Sequence, residues 1–494
     1  MKISFLKNKE GKKKTLAVLF VVSFILAIAM AGVFVNALAT KYEWYLYTGK
    51  KYEHNIGNAP DAVFEALDRN KKTDIYFCMS EEDISATSAY SLVYKTAQQL
   101  SERYDFISSP KILNTFLPSD SEKIDSYAQN PDGTKNQISK ETVIFDCEGK
   151  FRVLTLSDFF DLDTSGNITA YRGEEIMTCF IAYVEREKNP KVAFTASHGE
   201  SSTEALLKTF IYSGYDLCGG GKGTINLATD DIEEGTEYIV ISSPIYDFEK
   251  AAQGSLVKSE IEKLDSFVAS GGNILVIKDP YTQRLPNLDG LMEKYGMKIK
   301  YGIVSDDVNS VTTDKRSIKA ILADSEKAKE TSDRINKTAG SNSDRDIVVS
   351  TSSAIELTDS GKFTTDRLLV SHNGARINYF DGGEERGQFT LAAVSYDSSK
   401  EKGHSVTLFV GAKTFSSSFI SSDAYSDRDF VYSLIETNGS TKAPVGATIL
   451  QYDSLYLENL TVGKTRVYAI VLIGVIPSAV VLCGVFVYLR RRRR

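Results

Sequence analysis

The sequence predicts an α/β fold flanked by two transmembrane helices, and three observations carry that expectation. Two uncharged apolar runs of about twenty residues lie near the two ends of the 494-residue chain, each with a basic cluster on its outer side. Between them, strand-length apolar runs alternate with segments whose apolar residues recur at helical spacing. The chain is 42% hydrophobic, so two to three domains can hold themselves together by core packing.

The first run, LAVLFVVSFILAIAMAGVFV, sits within an expected span over 15–39, after a basic tail over 1–14 that holds Lys2, Lys7, Lys9, Lys12, Lys13 and Lys14. Twenty helical residues cover roughly 30 Å, the thickness of a bilayer's hydrocarbon core. A cleaved signal peptide competes, because Ala37-Leu38-Ala39 has the small-x-small form, although the run exceeds the usual apolar region of roughly 7–15 residues. The second run, VYAIVLIGVIPSAVVLCGVFVYL over 467–489, is followed by a basic tail over 490–494, Arg490 to Arg494. Basic clusters on both outer flanks put both termini in the cytoplasm, which makes a two-pass cell-membrane protein with its large domain extracytoplasmic.

Net charge is −7, and the basic tails leave the intervening part more acidic still, which argues against nucleic acid or anionic lipid as its partner. Four cysteines fall there, Cys78, Cys147, Cys179 and Cys218, with no C-x-x-C and no metal-finger spacing. They cannot form a disulfide scaffold, though one or two bridges stay open.

A Tyr-rich juxtamembrane linker over 40–69, with the single tryptophan Trp44, suits the membrane interface. Over 70–189, TDIYFCMS reads as a buried strand, Ala86 to Arg103 as a helix, ETVIFD and FRVLTL as a hairpin around Glu148-Gly149, and Glu174 to Glu185 as a closing helix. That order is thioredoxin-like, and without paired cysteines it is not a redox enzyme. Over 190–445, strands VAFTA, YDL, YIVIS and NILVIKD alternate with helices, one carrying the capping box Ser201-x-x-Glu204 and stopping at Gly214, the next carrying Val257, Ile261, Leu264, Phe267 and Val268 and ending at Gly271-Gly272. Near-continuous apolar strands between helices imply a flavodoxin-like, doubly wound parallel sheet. A charged segment near 314–346 reads as a solvated helical insertion or loop, later strands (DIVVS, RLLVS, FTLAAVSY, SVTLFVG) complete the sheet or add a small β layer, and a linker over 446–466 leads to the second span.

Loops at the strand ends of such a sheet share one crevice, which makes His198, Gly199, Glu200, Ser243, Pro244, Asp279 and Pro280 the candidate ligand- or partner-binding residues. His198 and Glu200 have the chemistry of an acid–base pair, and the helix start beyond them that of an anion site; glycine for a turn and Ser and Glu for capping explain the same corner without catalysis. Other signatures fail. There is no G-x-S-x-G elbow, and Ser108-x-x-Lys111 and Ser255-x-x-Lys258 lack the companion motifs of penicillin-binding proteins. His54, His198, His372 and His404 show no metal spacing, and CGGGKGT departs from the phosphate-loop pattern because Lys222 is followed by Gly223. No cofactor, metal or catalytic residue is expected.

The stretches VAFTASHGE, YIVISSPIYDFEKAAQGSLVKSEIEKLDSFVASGGNILVIKDP and LDGLMEKYGM, with the flanking spans and terminal Arg run, resemble the GldG-like family, auxiliary components of ABC transport systems first associated with gliding motility. That family usually has Gly before the His, where this chain has Ser197. The resemblance implies a non-enzymatic extracytoplasmic module that works with an ABC permease and a cytoplasmic ATPase, its two spans lying in the lipid bilayer. It implies no catalytic residues. The alternatives are a cell-surface hydrolase or amidotransferase-like enzyme using His198 and Glu200, and a stand-alone envelope-binding receptor.

Overall fold

The computed structural model describes residues 55–452 except 68, 87, 131–133, 164, 202–203, 251–256, 340–344 and 423. Both apolar runs and both basic tails lie outside the described residues; among those described, no helix is long and apolar enough to cross a membrane.

Pro60 in its first turn opens helix α1, Ala59–Phe64, since the ring presets φ and removes an N–H that a helix start leaves unpaired anyway. Strand β1, Thr73–Phe77, alternates its side chains: Ile75 and Phe77 enter one core with Val93, Ala97 and Leu100 of helix α2, Ser88–Arg103, while Tyr76 turns to the other face. Strand β2, Lys111–Ile112, adds in parallel; strand β3, Thr142–Cys147, adds antiparallel on the other side and turns into β4, Lys150–Thr155, giving the order β2-β1-β3-β4. The hairpin turn has positive φ at both Glu148 and Gly149, the geometry whose twist suits a tight hairpin. Strands β5, Phe160–Leu162, and β6, Ile168–Tyr171, form a small antiparallel pair leading into helix α3, Gly173–Glu185, all of whose residues are buried. Cys78, Cys147, Cys179 and Cys218 are buried free thiols, so no bridge joins them.

The larger sheet begins with β7, Lys191–Thr195, helix α4, Glu204–Tyr212, and the short strands β8, Asp216–Leu217, and β9, Thr224–Ile225. It continues through β10, Thr236–Ser242, helix α5, Glu260–Ala269, β11, Asn273–Lys278, and helix α6, Pro286–Lys294. Strict alternation explains why both faces are covered. Tyr238, Val240, Leu275 and Ile277 pack with Leu206 and Phe210 of α4, whereas Ile239, Ile241, Ile274 and Val276 pack with Leu264 and Val268 of α5 and Leu288 and Met292 of α6. Val257 lies ahead of α5 and is exposed, not on its buried face as the spacing suggested.

Beyond α6 come β12, Met297–Lys300, β13, Gly302–Ser305, β14, Ser317–Leu322, and helix α7, Glu326–Ala339. Then follow β15, Ile347–Ser350, β16, Ala354–Leu357, β17, Thr364–Val370, β18, Arg376–Tyr379, β19, Glu384–Arg386, β20, Thr390–Tyr396, and β21, Ser405–Val410. The main order is β15-β14-β17-β20-β21-β11-β10-β7-β8. Strands β8, β7, β10, β11 and β21 are parallel, but β20, β17, β14 and β15 extend the sheet antiparallel, so the fold is mixed α/β where an all-parallel sheet was expected. Strands β13, β18 and β19 form a separate small sheet. The charged stretch near 314–346 is partly helical, as expected, but it is packed and not merely solvated: it supplies β14 to the sheet and helix α7, which buries Ala328, Thr331 and Ile335, with the Lys327 and Arg334 side chains only 11% and 12% exposed.

Helix α8, Asp427–Asn438, crosses one face of the sheet, and the chain then returns to its first part, where β22, Leu450–Gln451, pairs antiparallel with β6. Glu174 of α3 is fully buried there, accepting from Gly57 N at 2.9 Å on the incoming side, with Thr448 of the outgoing side close enough to favour its charged form.

Glycine at 296 is required by its surroundings. Gly296, between α6 and β12, has φ +78°, and a Cβ there would lie 2.6 Å from Thr358 O. Gly296→Ala is expected to lower stability by about 1–3 kcal/mol through left-handed strain and the backbone clash, read as a lower urea midpoint at unchanged slope.

Candidate functional site

Because β7, β10 and β11 are parallel neighbours, their carboxyl ends emerge along one edge, and the loops that follow are tied together by backbone bonds. Ser201 N donates to Ser242 O at 3.1 Å, Ser243 N to Ile277 O at 2.7 Å, and Ile245 N and Tyr246 N both donate to His198 O, at 2.8 and 2.9 Å. Ser197 and Ser243 take positive φ, 88° and 51°, which a non-glycine residue adopts only when neighbours over-determine it. Gly199, at φ +73°, lies against Ile245 and Tyr246, where a Cβ would come within 3.2 Å.

His198 is 6% exposed and stacks on Phe248, with ring centroids 3.9 Å apart. Its Nδ1 faces Glu200 Oε1 at 3.3 Å and its Nε2 faces Glu260 Oε2 at 3.0 Å, while its own N–H donates to Glu200 Oε2 at 2.7 Å. Glu260 opens α5 and also accepts Glu249 N at 2.7 Å. Burial alone would lower the His198 pKa, but carboxylates on both ring nitrogens outweigh it and raise it above the ordinary value; burial would raise Glu200, and its bonds to His198 hold it down. The imidazole is thus a clamp between two acids, joining the end of β7 to the start of α5.

Beside this clamp lies an open cavity of about 580 Å³ lined by Thr195, Ser197, Gly199, Glu200, Ser201 and Ser242, with Lys222 and Gly223 of the glycine-rich turn opposite. Ser197 Oγ donates to Asn226 Oδ1 at 3.1 Å, and among the described residues no serine hydroxyl is bonded to His198. The arrangement therefore has hydrogen-bonding groups facing a ligand-sized space but no nucleophile–base pair. Among the described residues no cluster of His, Cys, Asp or Glu could hold a metal ion.

His198, Gly199, Glu200, Ser243 and Pro244 meet in this corner, Ser243 and Pro244 as buried residues beneath it. Asp279 and Pro280 do not join them. Asp279 Oδ1 accepts Tyr281 N at 2.9 Å, and Pro280 borders a different cavity with Tyr281, Arg284, Tyr301 and Phe380. Sequence reasoning missed Glu260 and Phe248, which are far from His198 along the chain; the one local sign was the capping box Ser259-x-x-Glu262, which marks the helix start that Glu260 occupies. The helix expected to be capped by Ser201 begins at Glu204, and 202–203 lie outside the described residues.

No protein-family model matches the chain, and no curated protein matches it. Among solved structures it is similar to the mmIFT52 N-terminal domain, at 17% identity over 50% of this chain and 98% of that one, with a TM-score of 0.37. It is also similar to a ThuA-like protein from Bacteroides uniformis, at 11% identity over 53% and 97%, TM-score 0.27. A third is an exo-β-1,4-mannosidase from Opitutaceae bacterium strain TAV5, at 12% identity over 69% and 48%, TM-score 0.24.

Proposed function

We propose that this chain is a non-catalytic, membrane-anchored auxiliary subunit of an ABC-type transport system, whose extracytoplasmic domain binds a partner or substrate and whose spans meet an ABC permease served by a cytoplasmic ATPase. The single observation that carries the non-catalytic part is the saturation of His198: both ring nitrogens are occupied by Glu200 and Glu260, so the group best suited to general-base work is already engaged. The two apolar runs with basic outer flanks and the resemblance to the GldG-like family support the rest. In this reading the first part is a thioredoxin-like domain and the second a flavodoxin-like sheet with an antiparallel extension, its ligand edge at the carboxyl ends of β7, β10 and β11.

Two measurements test it. Purification of the full chain in mild detergent, with mass spectrometry of accompanying proteins, is expected to recover a multi-span permease and an ATPase; a chain recovered alone overturns the transport assignment. His198→Ala leaves two buried carboxylates facing each other and is expected to cost about 2–3 kcal/mol of stability, whereas His198→Gln, which keeps one bond, costs less. Cellular function that survives His198→Gln fits a clamp. Function lost from His198→Gln at full stability and normal membrane level restores the hydrolase reading.

A further inference from the structure

The turn at Asp279-Pro280 carries a surface unlike the His198 corner. Tyr281 stands 54% exposed, and Phe380, in the turn between β18 and β19, 52% exposed; their rings lie 5.9 Å apart with planes inclined by 35°. The two rings border both of two adjoining cavities. One, of about 400 Å³, is walled by Arg284, Tyr301 and Asp381, and the other, of about 520 Å³, by Arg316, Arg376 and Asn378.

The walls are held from behind. Lys278 has a side chain only 1% exposed, pairs with Asp289, and donates to Tyr301 OH at 3.0 Å, while the Tyr301 hydroxyl donates to Asp289 as well. The Arg284 guanidinium lies 4.9 Å from the Tyr301 ring centroid, and Arg316 Nη1 donates to Tyr281 OH at 2.9 Å. Arg376 and Lys315 are paired with Asp307, whereas Arg284 and Arg316 make no direct ion pair among the described residues, although Asp314, on the wall of the second cavity, acts on Arg316 through space. Asp381 and Asp314 stand at the edges of the two cavities, so attraction of an anion here rests on direct pairing with the guanidinia of Arg284 and Arg316 and not on the field of the acidic chain as a whole. Guanidinium binds carboxylate through two parallel N–H donors, and an exposed aromatic face is covered best by a flat partner whose apolar side meets the ring while its polar rim stays hydrated. A sugar ring has that shape.

We propose that the Tyr281–Phe380 ridge binds an oligosaccharide whose rings carry carboxylates, with sugar units on either side of the ridge and acidic groups at Arg284 and Arg316. This deepens the ligand-binding role proposed above without depending on the permease, so co-purification and saccharide binding can fail separately.

The test is calorimetric titration of the full chain, in nanodiscs of uncharged lipid, with tetragalacturonate, with neutral maltotetraose and with inorganic phosphate. The expected result is saturable binding of tetragalacturonate, at least about tenfold weaker binding of maltotetraose, and none of phosphate. Tyr281→Ala and Arg316→Gln should each weaken tetragalacturonate binding about tenfold at unchanged melting temperature, with Arg316→Lys recovering only part of the loss. Because both side chains are exposed, refolding of the core is not a confounding factor. Equal affinity for the neutral sugar, phosphate binding as tight as the saccharide, no binding of tetragalacturonate, or variants that bind like the parent each overturn the proposal.

Discussion

Glu175→Ala is expected to lower folding stability by about 3–5 kcal/mol, because it strips the counter-charge from two buried guanidinia at once. Glu175 lies on α3 with no solvent exposure; Arg172 Nε bonds it at 2.6 Å, Arg428 Nε approaches to 3.6 Å, and Tyr432 OH donates to it at 2.5 Å. Arg172 retains Asp161 at 3.4 Å. Arg428 would keep only Asp429 at 3.8 Å, and its Nε and Nη1 already lack a hydrogen-bond partner among the described residues. Burial pushes the Glu175 carboxyl up, but Arg172 and Arg428 outweigh it and hold it below the usual range. Its contribution is therefore present above the unfolded carboxylate pKa and lost as pH falls through the lower folded one. Urea denaturation at neutral pH is the check: a loss under about 1 kcal/mol would mean the cluster is not the joint between α3 and α8. Glu175→Gln, which keeps the volume, should recover a minor share, since the missing element is charge.

Stability should fall as pH rises from about 5 to about 8. Asp427, at the start of α8, is 1% exposed and accepts from Val348 N, at 3.1 and 3.3 Å; burial outweighs its backbone bonds and pushes its carboxyl up to about 8. Burial likewise pushes Glu174 up to about 7, against the bond from Gly57 and the nearby Thr448. In the unfolded chain both lose their protons near pH 4, so across this window the folded state binds more protons and the slope is negative, up to about 1.4 kcal/mol per pH unit for each group. His198, raised by Glu200 and Glu260, has the same sign: its contribution is complete below the unfolded imidazole pKa and disappears as pH passes the higher folded one. Asp427→Asn should flatten the profile and raise the melting temperature at pH 8. A parent melting temperature that stays level or climbs from pH 5 to 8 contradicts this account.

The parallel core was legible because its strands are apolar on both faces: YIVIS and NILVIKD allow few other placements, and Gly214 and Gly271 mark where α4 and α5 stop. The antiparallel half was not, because RLLVS and FTLAAVSY are equally apolar and only their partners decide direction and register. The stretch near 314–346 was legible as helical but not as packed, for a different reason. Ala328 and Ile335 are two turns apart on α7, too sparse to stand out among fourteen mostly charged and polar residues, yet enough to seat the helix. In the candidate site, the His198-Gly199-Glu200 corner was visible as a motif, but its saturation was not, since that needs Glu260, which only the packing of α5 beside β7 supplies. Lys278 shows the same limit. Within NILVIKD it reads as the polar end of a strand, while Asp289 and Tyr301, which neutralise and bury it, come from other elements.

The pairing of β22 with β6, and the bond of Glu174 to Gly57 beside Thr448, make the described chain a closed loop whose two legs meet at α3. Tension between those legs is taken in part by the clasp itself, two short antiparallel strands that unzip bond by bond and one buried carboxylate. The buried cluster of Glu175 with Arg428 and Tyr432 fastens α8 to the same helix, so the clasp is not the sole tie between the legs. A pull on the two legs is therefore expected to load α3 first, through β22, Glu174 and the Glu175 cluster together, before it reaches the cavity edge of β7, β10 and β11.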